Sequence, residues 1–332
     1  MQSFLPDCRV SVGGKPLPAE QAAALIRVNV DLDVDLFGCC VLHFNDPRLQ
    51  LINGAHFASG TPVEVELGSM SEKESIFHGD VVALEPQFRR NRPPSLQVVC
   101  EEALHRLGLG SMTRAFNDVD DKQIAAQIAR EHGLSADAPS GTSTHVLQAN
   151  LSDAAFLRRI AQKSGNHLRI EGKQIVVGPL PKGRQIELGP ESGILKLRVQ
   201  IESNSQVNEV TVHGWDPARK REIVGKASSQ QHGCGTLSAL ADEPEPADVA
   251  TAEAMARGRM RKLAEGFITA QMELRGNAKI APGAEMTLDE LGPQVGGTWR
   301  VEHAEHRSDR HGYRVKLRAV RIARPKPRGS TT

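Results

Sequence analysis

Residues 151–177 read LSDAAFLRRIAQKSGNHLRIEGKQIVV and contain the clearest structural pattern in the chain. Ser152 is a favourable N-cap, because its hydroxyl can accept a hydrogen bond from a backbone N–H of the first helical turn. Apolar side chains then recur at helical spacing, at Phe156, Leu157, Ile160 and Ala161. Gly165 can adopt the left-handed conformation that ends a helix. The stretch therefore predicts a capped amphipathic helix, followed by a β-hairpin that turns at Glu171-Gly172.

Strand patterns dominate the sequence on both sides of this unit. Residues 28–36 alternate apolar side chains with Asn29, Asp31, Asp33 and Asp35, which predicts a half-buried strand with one apolar and one acidic face. Short strand patterns punctuated by glycine and proline continue through residues 63–84 and return between residues 193 and 322. This arrangement is typical of small β-barrels or sandwiches.

Changes in composition suggest how the chain is divided. The basic, proline-marked stretch at residues 89–94 has the character of a connector. We expect a strand-rich first domain, an α/β middle domain, and a strand-rich third domain that contains a long polar loop and precedes a flexible basic tail. The corresponding ranges are 1–92, 93–183, 184–324 with the loop at 226–248, and 325–332.

Composition excludes several classes of protein. The chain has 332 residues, 39% hydrophobic content and a net charge of +1, which favours an ordinary globular protein over one that binds nucleic acid through a basic surface. No apolar run approaches the roughly 20 residues that cross a bilayer, so no membrane anchor is expected. The five cysteines fit neither a zinc nor a disulfide spacing. We therefore expect a protein made and kept in a reducing cytoplasm.

Candidate catalytic and metal-binding residues are few. His303, His306 and His311 flank the last predicted hairpin, but an H-x-x-H pattern on a strand directs its two rings to opposite faces. Glu302 and Asp309 offer a carboxylate pair without a recognisable cleft. No nucleophile elbow, zinc-protease helix or phosphate-binding loop is present in the sequence. The sequence thus predicts no catalytic, cofactor-binding or metal-binding residue, and a protein that is not an enzyme.

Three motifs resemble those of one known family. The helix carries F-L-x-x-I-A-x-x-x-G through Phe156, Leu157 and Gly165. A second motif, V-x-V-x-G-W-D-P, occurs at Gly214, Trp215, Asp216 and Pro217, and a third, G-x-W-x-V-x-x-x-x-H, includes Trp299 and His306. In this order the motifs resemble those of the late-control D family of phage tail proteins. That family forms the central baseplate hub of contractile tails and is related to the hub part of type VI secretion spike proteins.

The resemblance implies a fold and a set of partners. The implied fold is mainly β with an α/β insertion: two tail-tube-like β-barrel domains flank a smaller α/β domain. The implied assembly is a homotrimer that adapts the hexameric tail tube protein to a separate trimeric spike protein and surrounds the central channel. Tape-measure and baseplate wedge proteins are its further partners, and no cofactor is involved. The particle would assemble in the cytoplasm and be a virion tail, a tailocin or an injection machine. A tail-associated cell-wall hydrolase and a secretion-system adaptor are the alternatives.

The resemblance also suggests where the acidic strand lies. Its apolar face must cover the barrel core, so Asp31, Asp33 and Asp35 point outward and are candidates for the wall of the central channel. Three carboxylates in a row are costly to desolvate at an interface unless each finds a basic partner. The alternative is that they pair with Arg314, Lys316 and Arg318 of an adjoining barrel.

Overall fold

The structure is a computed structural model. It describes residues 8–34, 36–68, 73–180, 183–187, 193–202, 208–216, 219–228, 236–240, 246, 248–265, 268–288 and 291–323. The predictions for Asp35, for Pro217, for most of the long loop and for the basic tail lie outside the described residues.

The described chain is mainly β, as the sequence predicts. Its strands are β1 (Cys8–Val12), β2 (Lys15–Pro16), β3 (Leu25–Asp33), β4 (Cys39–Asn45), β5 (Pro62–Gly68), β6 (Lys73–Gln87), β7 (Ser95–Glu101), β8 (Met112–Val119), β9 (Ser135–Asp137), β10 (Thr144–Leu151), β11 (His167–Glu171), β12 (Gln174–Gly178), β13 (Gln185–Glu187), β14 (Ile194–Ile201), β15 (Glu209–Asp216), β16 (Arg221–Ser228), β17 (Thr236–Leu240), β18 (Ile268–Arg275), β19 (Glu285–Leu288), β20 (Gly297–Asp309) and β21 (Gly312–Ala323).

The helices are fewer and mostly short. They are α1 (Ala19–Ala24), α2 (Asp121–Glu131), α3 (Asp153–Lys163), α4 (Val249–Glu265) and α5 (Gly292–Val295), with a 3-10 turn at Ala103–Gly108. None of these described helices combines the length and the apolar character needed to span a membrane.

Two compact units make up the chain. The first comprises residues 1–103, 182–198 and 270–332, and the second comprises residues 104–181 and 199–269. This division differs from the three consecutive segments expected from composition, because the first unit draws strands from both ends of the chain.

The first unit is organised around one large sheet. Its strand order is β14-β18-β21-β20-β3-β4-β7-β6-β5-β1-β2, with β13 and β19 attached beside β20. The antiparallel pairing of β3 with β20 joins the amino-terminal strands to the carboxy-terminal ones. Strand β3 shows the predicted alternation: Val28 and Val30 are fully buried, whereas Asp31 is exposed. The buried side chains pack around Phe44 and Phe57, whose ring centroids lie 5.2 Å apart.

The basic, proline-marked stretch is part of this sheet and not a connector between domains. Strands β6 and β7 pair in an antiparallel hairpin whose last partners are Gln87 and Ser95, and residues 88–94 form the loop between them. Proline occurs in turns as well as in linkers, so composition alone does not distinguish the two.

The second unit contains the helix and hairpin predicted for residues 151–177. Helix α3 starts where predicted, because the Ser152 hydroxyl accepts a hydrogen bond from the Ala155 backbone N–H at 3.3 Å. It ends in a Schellman motif: Gly165 has a φ of 67°, and the Asn166 N–H donates to the Ala161 carbonyl at 2.9 Å. Strands β11 and β12 then form the expected hairpin. The local sequence thus determined this element from cap to turn.

A second core in this unit lies between α4 and the sheet β16-β15-β17. Gly225 is required there, because a Cβ at this position would lie 2.1 Å from the Ala252 carbonyl carbon. The sheet includes β17, which pairs in parallel with β15 and lies inside the region predicted to be a long polar loop. That prediction was wrong for residues 236–240. The five residues TLSAL form a strand, but their pattern is too short to stand out among the polar residues on either side.

Candidate interaction surface

The outward face of β3, β20 and β21 carries charged side chains on all three strands. Residues directly opposite each other in an antiparallel sheet project to the same side, so the strand register aligns charged rows across the three strands. The rows are Asp33–His303–Arg318, Asp31–Glu305–Lys316 and Asn29–Arg307–Arg314. The acidic side chains of this face therefore lie mainly on β3 and the basic ones on β21, with both kinds on β20 between them.

Asp31 and Asp33 have basic partners within the same chain. The His303 Nε2 lies 3.0 Å from the Asp31 Oδ1, and this hydrogen bond raises the pKa of His303 above its ordinary value. Arg318 lies between two carboxylates, with its Nη2 3.6 Å from the Asp33 Oδ2 and its Nε 3.7 Å from Glu302. The purely acidic face expected from the sequence is thus charge-compensated, because the strands beside β3 come from the distant carboxy-terminal segment.

The other basic residues predicted as alternative partners are also paired in the chain. Arg314 lies 3.3 Å from Glu273, and Lys316 lies 4.0 Å from Glu305. Together with the β20–β21 turn these residues border a polar depression of about 310 Å³. Its lining is Glu273, Glu305, Arg307, Asp309, His311, Gly312, Arg314 and Lys316.

Asp309 in this depression is held in its ionised form. Burial alone would raise the pKa of its carboxyl, but hydrogen bonds from the His311 backbone N–H and from Arg307 bring that pKa below the ordinary value. A general acid must instead be protonated near neutral pH. Among the described residues, no group of three His, Cys, Asp or Glu side chains is arranged to hold a metal ion.

His303 and His306 separate to opposite faces of β20, as their spacing predicts. His306 is fully buried; its Nε2 donates to the Ile280 carbonyl and its Nδ1 accepts from the Tyr313 hydroxyl, both at 2.7 Å. Burial lowers the pKa of His306 to about 4, so the ring is neutral at physiological pH. Both nitrogens are occupied, which leaves this imidazole no lone pair for a metal.

The remaining motif residues also have structural environments. Trp299 is fully buried, and its Nε1 donates to the Val295 carbonyl at 3.2 Å. Gly214 faces Pro246 so closely that a Cβ would lie 2.5 Å from the proline ring. Asp216 accepts a hydrogen bond from the Arg219 backbone N–H at 3.0 Å. Trp215 differs, because half of its surface is exposed.

Helix α3 is anchored by Phe156 and Leu157, which are both buried. The Phe156 ring stacks on Phe116 at 5.5 Å between centroids. Beside this pair lies a buried polar network that sequence reasoning missed. The Asp153 carboxylate accepts hydrogen bonds from Arg114 at 2.7 Å, from His132 at 2.9 Å and from Gln148 at 2.9 Å.

These partners come from β8, the end of α2 and β10, so no local pattern could have revealed them. Burial opposes ionisation of Asp153, but its hydrogen bonds and the Arg114 charge outweigh that effect and hold its pKa below the ordinary value. Arg114 also contacts Glu131 at 2.6 Å and lies 5.0 Å from the centre of the Phe116 ring. The network therefore fastens α3 to the strands beneath it.

Solved structures identify the class of fold. The 43 kDa tail protein of prophage MuSo2 from Shewanella oneidensis superposes with a TM-score of 0.72 at 14% identity, over 95% of this chain and 98% of that protein. A tail protein from Neisseria meningitidis MC58 gives a TM-score of 0.68 at 14% identity, over 95% and 96% of the two chains. The E. coli c3393 protein gives 0.65 at 11% identity, over 96% and 80%; it is described as a type VI secretion component with structural similarity to phage T4 tail proteins. The fold is therefore that of phage tail proteins.

A family assignment comes from the sequence itself. The model of the family described as Alg8 N-terminal domain matches residues 5–309, so the chain belongs to that family. The description names no reaction, and no curated protein matches the sequence. This is a different family from late-control D. The broader implication of that resemblance, a tail-protein fold, is confirmed, whereas membership of the late-control D family stays a proposal.

Proposed function

We propose that this chain is a structural component of a phage tail or a related contractile injection system, and that it is the baseplate hub. The observation that supports this most directly is the likeness to a prophage tail protein over 95% of this chain and 98% of that one. Three copies would form a ring that joins the hexameric tail tube to a separate trimeric spike. A closed ring of this kind matches partners of different symmetry by geometry alone.

The proposed hub keeps the two tube-like β-barrel domains and the smaller α/β domain expected from sequence, but with different boundaries. The first barrel extends beyond residue 92 to include β7, which pairs with β6, and the second barrel excludes residues 199–269, which belong to the second unit. Strands β3 and β20 then form the junction at which the two barrels share one sheet. A shared sheet fixes the two barrels relative to each other more firmly than a flexible linker would.

The outward face of β3, β20 and β21 is proposed to border the central channel. Asp31 and Asp33 contribute to it, and Asp35 follows them in sequence. Paired charges such as Asp33 with Arg318 suit a hydrated wall, because they stay solvated there and present little net field to passing cargo.

Partners and location follow from the same proposal. The hub would contact the spike, the tube, tape-measure and baseplate wedge proteins, and would assemble in the bacterial cytoplasm before it becomes part of a virion tail or injection particle. It would act without a cofactor and without catalysis. Support for the absence of a metal comes from His306, which is buried with both ring nitrogens hydrogen-bonded.

The experiment is co-expression of the chain with the spike encoded beside it, followed by light scattering of the purified complex. We expect three copies of this chain for each spike trimer. A stable monomer that does not bind the spike would contradict the hub proposal.

The hydrolase alternative has its own assay. The purified protein is incubated with dye-labelled peptidoglycan between pH 4 and pH 8, with lysozyme as the positive control. Dye release that is lost on Asp309→Asn would replace the structural proposal by an enzymatic one.

A further inference from the structure

The loop between β6 and β7 ends in an unusual tip, formed by residues 88–92 with the sequence FRRNR. Phe88 is 67% exposed, and Arg89, Arg90 and Arg92 are exposed beside it. A single exposed apolar residue is ordinary on a protein surface. An aromatic ring surrounded by three guanidinium groups in five residues combines the side chains that are enriched in protein interfaces.

The backbone of the tip forms a hydrogen-bonded turn at the end of the β6–β7 hairpin. The Arg92 N–H donates to the Arg89 carbonyl at 3.1 Å, which closes a turn, and Asn91 has a φ of 60° that asparagine tolerates better than most residues. The hairpin is paired up to Gln87 and Ser95. Between the tip and Ser95, Pro93 and Pro94 each have a backbone φ that is fixed by the proline ring. A preorganised loop loses little conformational entropy when it binds.

The described part of the chain does not neutralise the positive charge of the tip. Arg90 and Arg92 form no ion pair with any described residue, and the Arg89 Nη2 donates only to the neutral Gln87 side chain at 3.2 Å. Elsewhere arginines such as Arg114, Arg184 and Arg318 lie within 4.0 Å of a carboxylate. The tip thus places three positive charges within four residues of a chain whose net charge is +1.

We propose that this tip is a docking element for an acidic, leucine-containing segment of a partner protein. Phe88 would pack against the apolar side chains of that segment, and the guanidinium groups would form charge-assisted hydrogen bonds with its carboxylates. Nucleic acid fits this surface less well, because a single ring offers no succession of stacking platforms and three charges on one turn do not follow a phosphate backbone. The proposal is independent of the hub assignment, since it depends only on the tip.

The test uses the full chain and a fluorescein-labelled peptide of Glu-Leu-Asp repeats, with binding measured by fluorescence anisotropy. A labelled DNA duplex of similar net charge is titrated in parallel. We expect the peptide to bind more tightly than the duplex. Phe88→Ala should weaken peptide binding about 5- to 30-fold, because roughly two thirds of the burial of one phenylalanine is lost.

A matched pair of triple variants separates the tip from general charge effects. Arg89→Glu with Arg90→Glu and Arg92→Glu should abolish binding of the peptide. The control changes three exposed lysines away from the tip, Lys15, Lys122 and Lys173, to glutamate and so alters net charge equally. Both triple variants lose the same amount of long-range electrostatic attraction to the peptide. Once that shared loss is corrected for, the control should bind the peptide within about twofold of the unmodified chain.

Several outcomes would overturn the proposal. These are no peptide binding by the unmodified chain, equal losses in the two triple variants, no effect of Phe88→Ala, and a preference for the duplex that depends on the tip. Thermal unfolding of every variant verifies that the fold is retained. Phe88→Trp, which restores an aromatic ring, should recover binding that Phe88→Ala loses.

Discussion

Removal of the Asp153 carboxylate is expected to weaken the second unit strongly, because three other side chains depend on it. The Asp153 side chain is almost completely buried and accepts hydrogen bonds from Arg114, His132 and Gln148. In Asp153→Ala the Arg114 guanidinium keeps Glu131 as a partner, but the fully buried Gln148 amide and His132 each lose a hydrogen bond. Breaking a buried charged pair by removal of one partner costs about 3–5 kcal/mol of unfolding free energy.

A shape-conserving variant should cost less. In Asp153→Asn one amide oxygen still accepts from Arg114 or Gln148, and His132 can change tautomer to accept from the new NH₂ group. We therefore expect a loss of about 1–3 kcal/mol. The control is Asp121→Asn, since Asp121 occupies the same first position in α2 that Asp153 occupies in α3, without the three hydrogen bonds that Asp153 accepts. The control should cost no more than about 1 kcal/mol, which covers its interaction with the helix dipole.

The assay makes use of the two tryptophans, one in each unit. Trp215 lies in the unit that contains Asp153, and Trp299 lies in the other. Incorporation of 5-fluorotryptophan gives one fluorine NMR signal for each, so urea unfolding of the two units is followed separately. Asp153→Ala should move the Trp215 transition to lower urea. An equal shift of the Trp299 transition, or an Asp121→Asn variant as unstable as Asp153→Asn, would refute the reasoning.

The same network predicts a dependence on pH. The pKa of Asp153 is lower in the folded chain than in the unfolded one, so its stabilising contribution is complete above the unfolded value of about 3.9 and is lost as pH falls below it. The difference in stability between the unmodified chain and Asp153→Asn, measured by urea unfolding, should therefore shrink as pH falls below about 4.

Three further predictions concern other positions. Gly225→Ala should lower the free energy of unfolding by about 1–3 kcal/mol, because the added methyl group meets the backbone of Ala252 in α4. Urea unfolding followed at Trp215 measures this loss, and a neutral result would mean that α4 moves aside freely. The free energy of unfolding should fall by about 3 kcal/mol between pH 6.5 and pH 4 because of His306: its pKa of about 4 in the folded chain lies below the unfolded value, so protons bind the unfolded chain first. Urea unfolding of His306→Gln should show a smaller loss of stability over that interval. An unchanged loss would exclude His306 as its source. Asp31→Asn should lower the pKa of His303, which proton NMR titration measures directly, and a constant pKa would show that the hydrogen bond to Asp31 is not formed in solution.

The features that could be predicted from sequence are those with short-range causes. Helix α3 follows from a cap at Ser152 and a glycine at Gly165, and the alternation of β3 follows from period-two spacing. Nothing local indicates that β20 would pair with β3, because the two strands are separated by most of the chain. For that reason the sequence predicts the acidic row without its partners.

The candidate surface shows the same limit. The opposite orientation of His303 and His306 followed from strand geometry, but the buried pair formed by His306 and Tyr313 did not. Composition also misled in one place: the arginine- and proline-rich stretch has the composition of a connector, although it is the loop of a hairpin. Polar residues together with proline occur both in connectors between domains and in hairpin loops. Only the pairing of the flanking strands distinguishes the two.

The junction of β3 with β20 has a consequence for biosynthesis. Roughly 260 residues separate the end of one strand from the start of the other, and ribosomes add about 5–20 residues per second. The free edge of β3 therefore waits on the order of 15–50 s for its partner after it leaves the ribosome. An exposed strand edge pairs readily with other chains, so nascent copies translated side by side on one messenger are open to mispairing at β3 during this interval. Chains truncated before residue 297 keep that edge permanently and should aggregate, even though most of their sequence is intact.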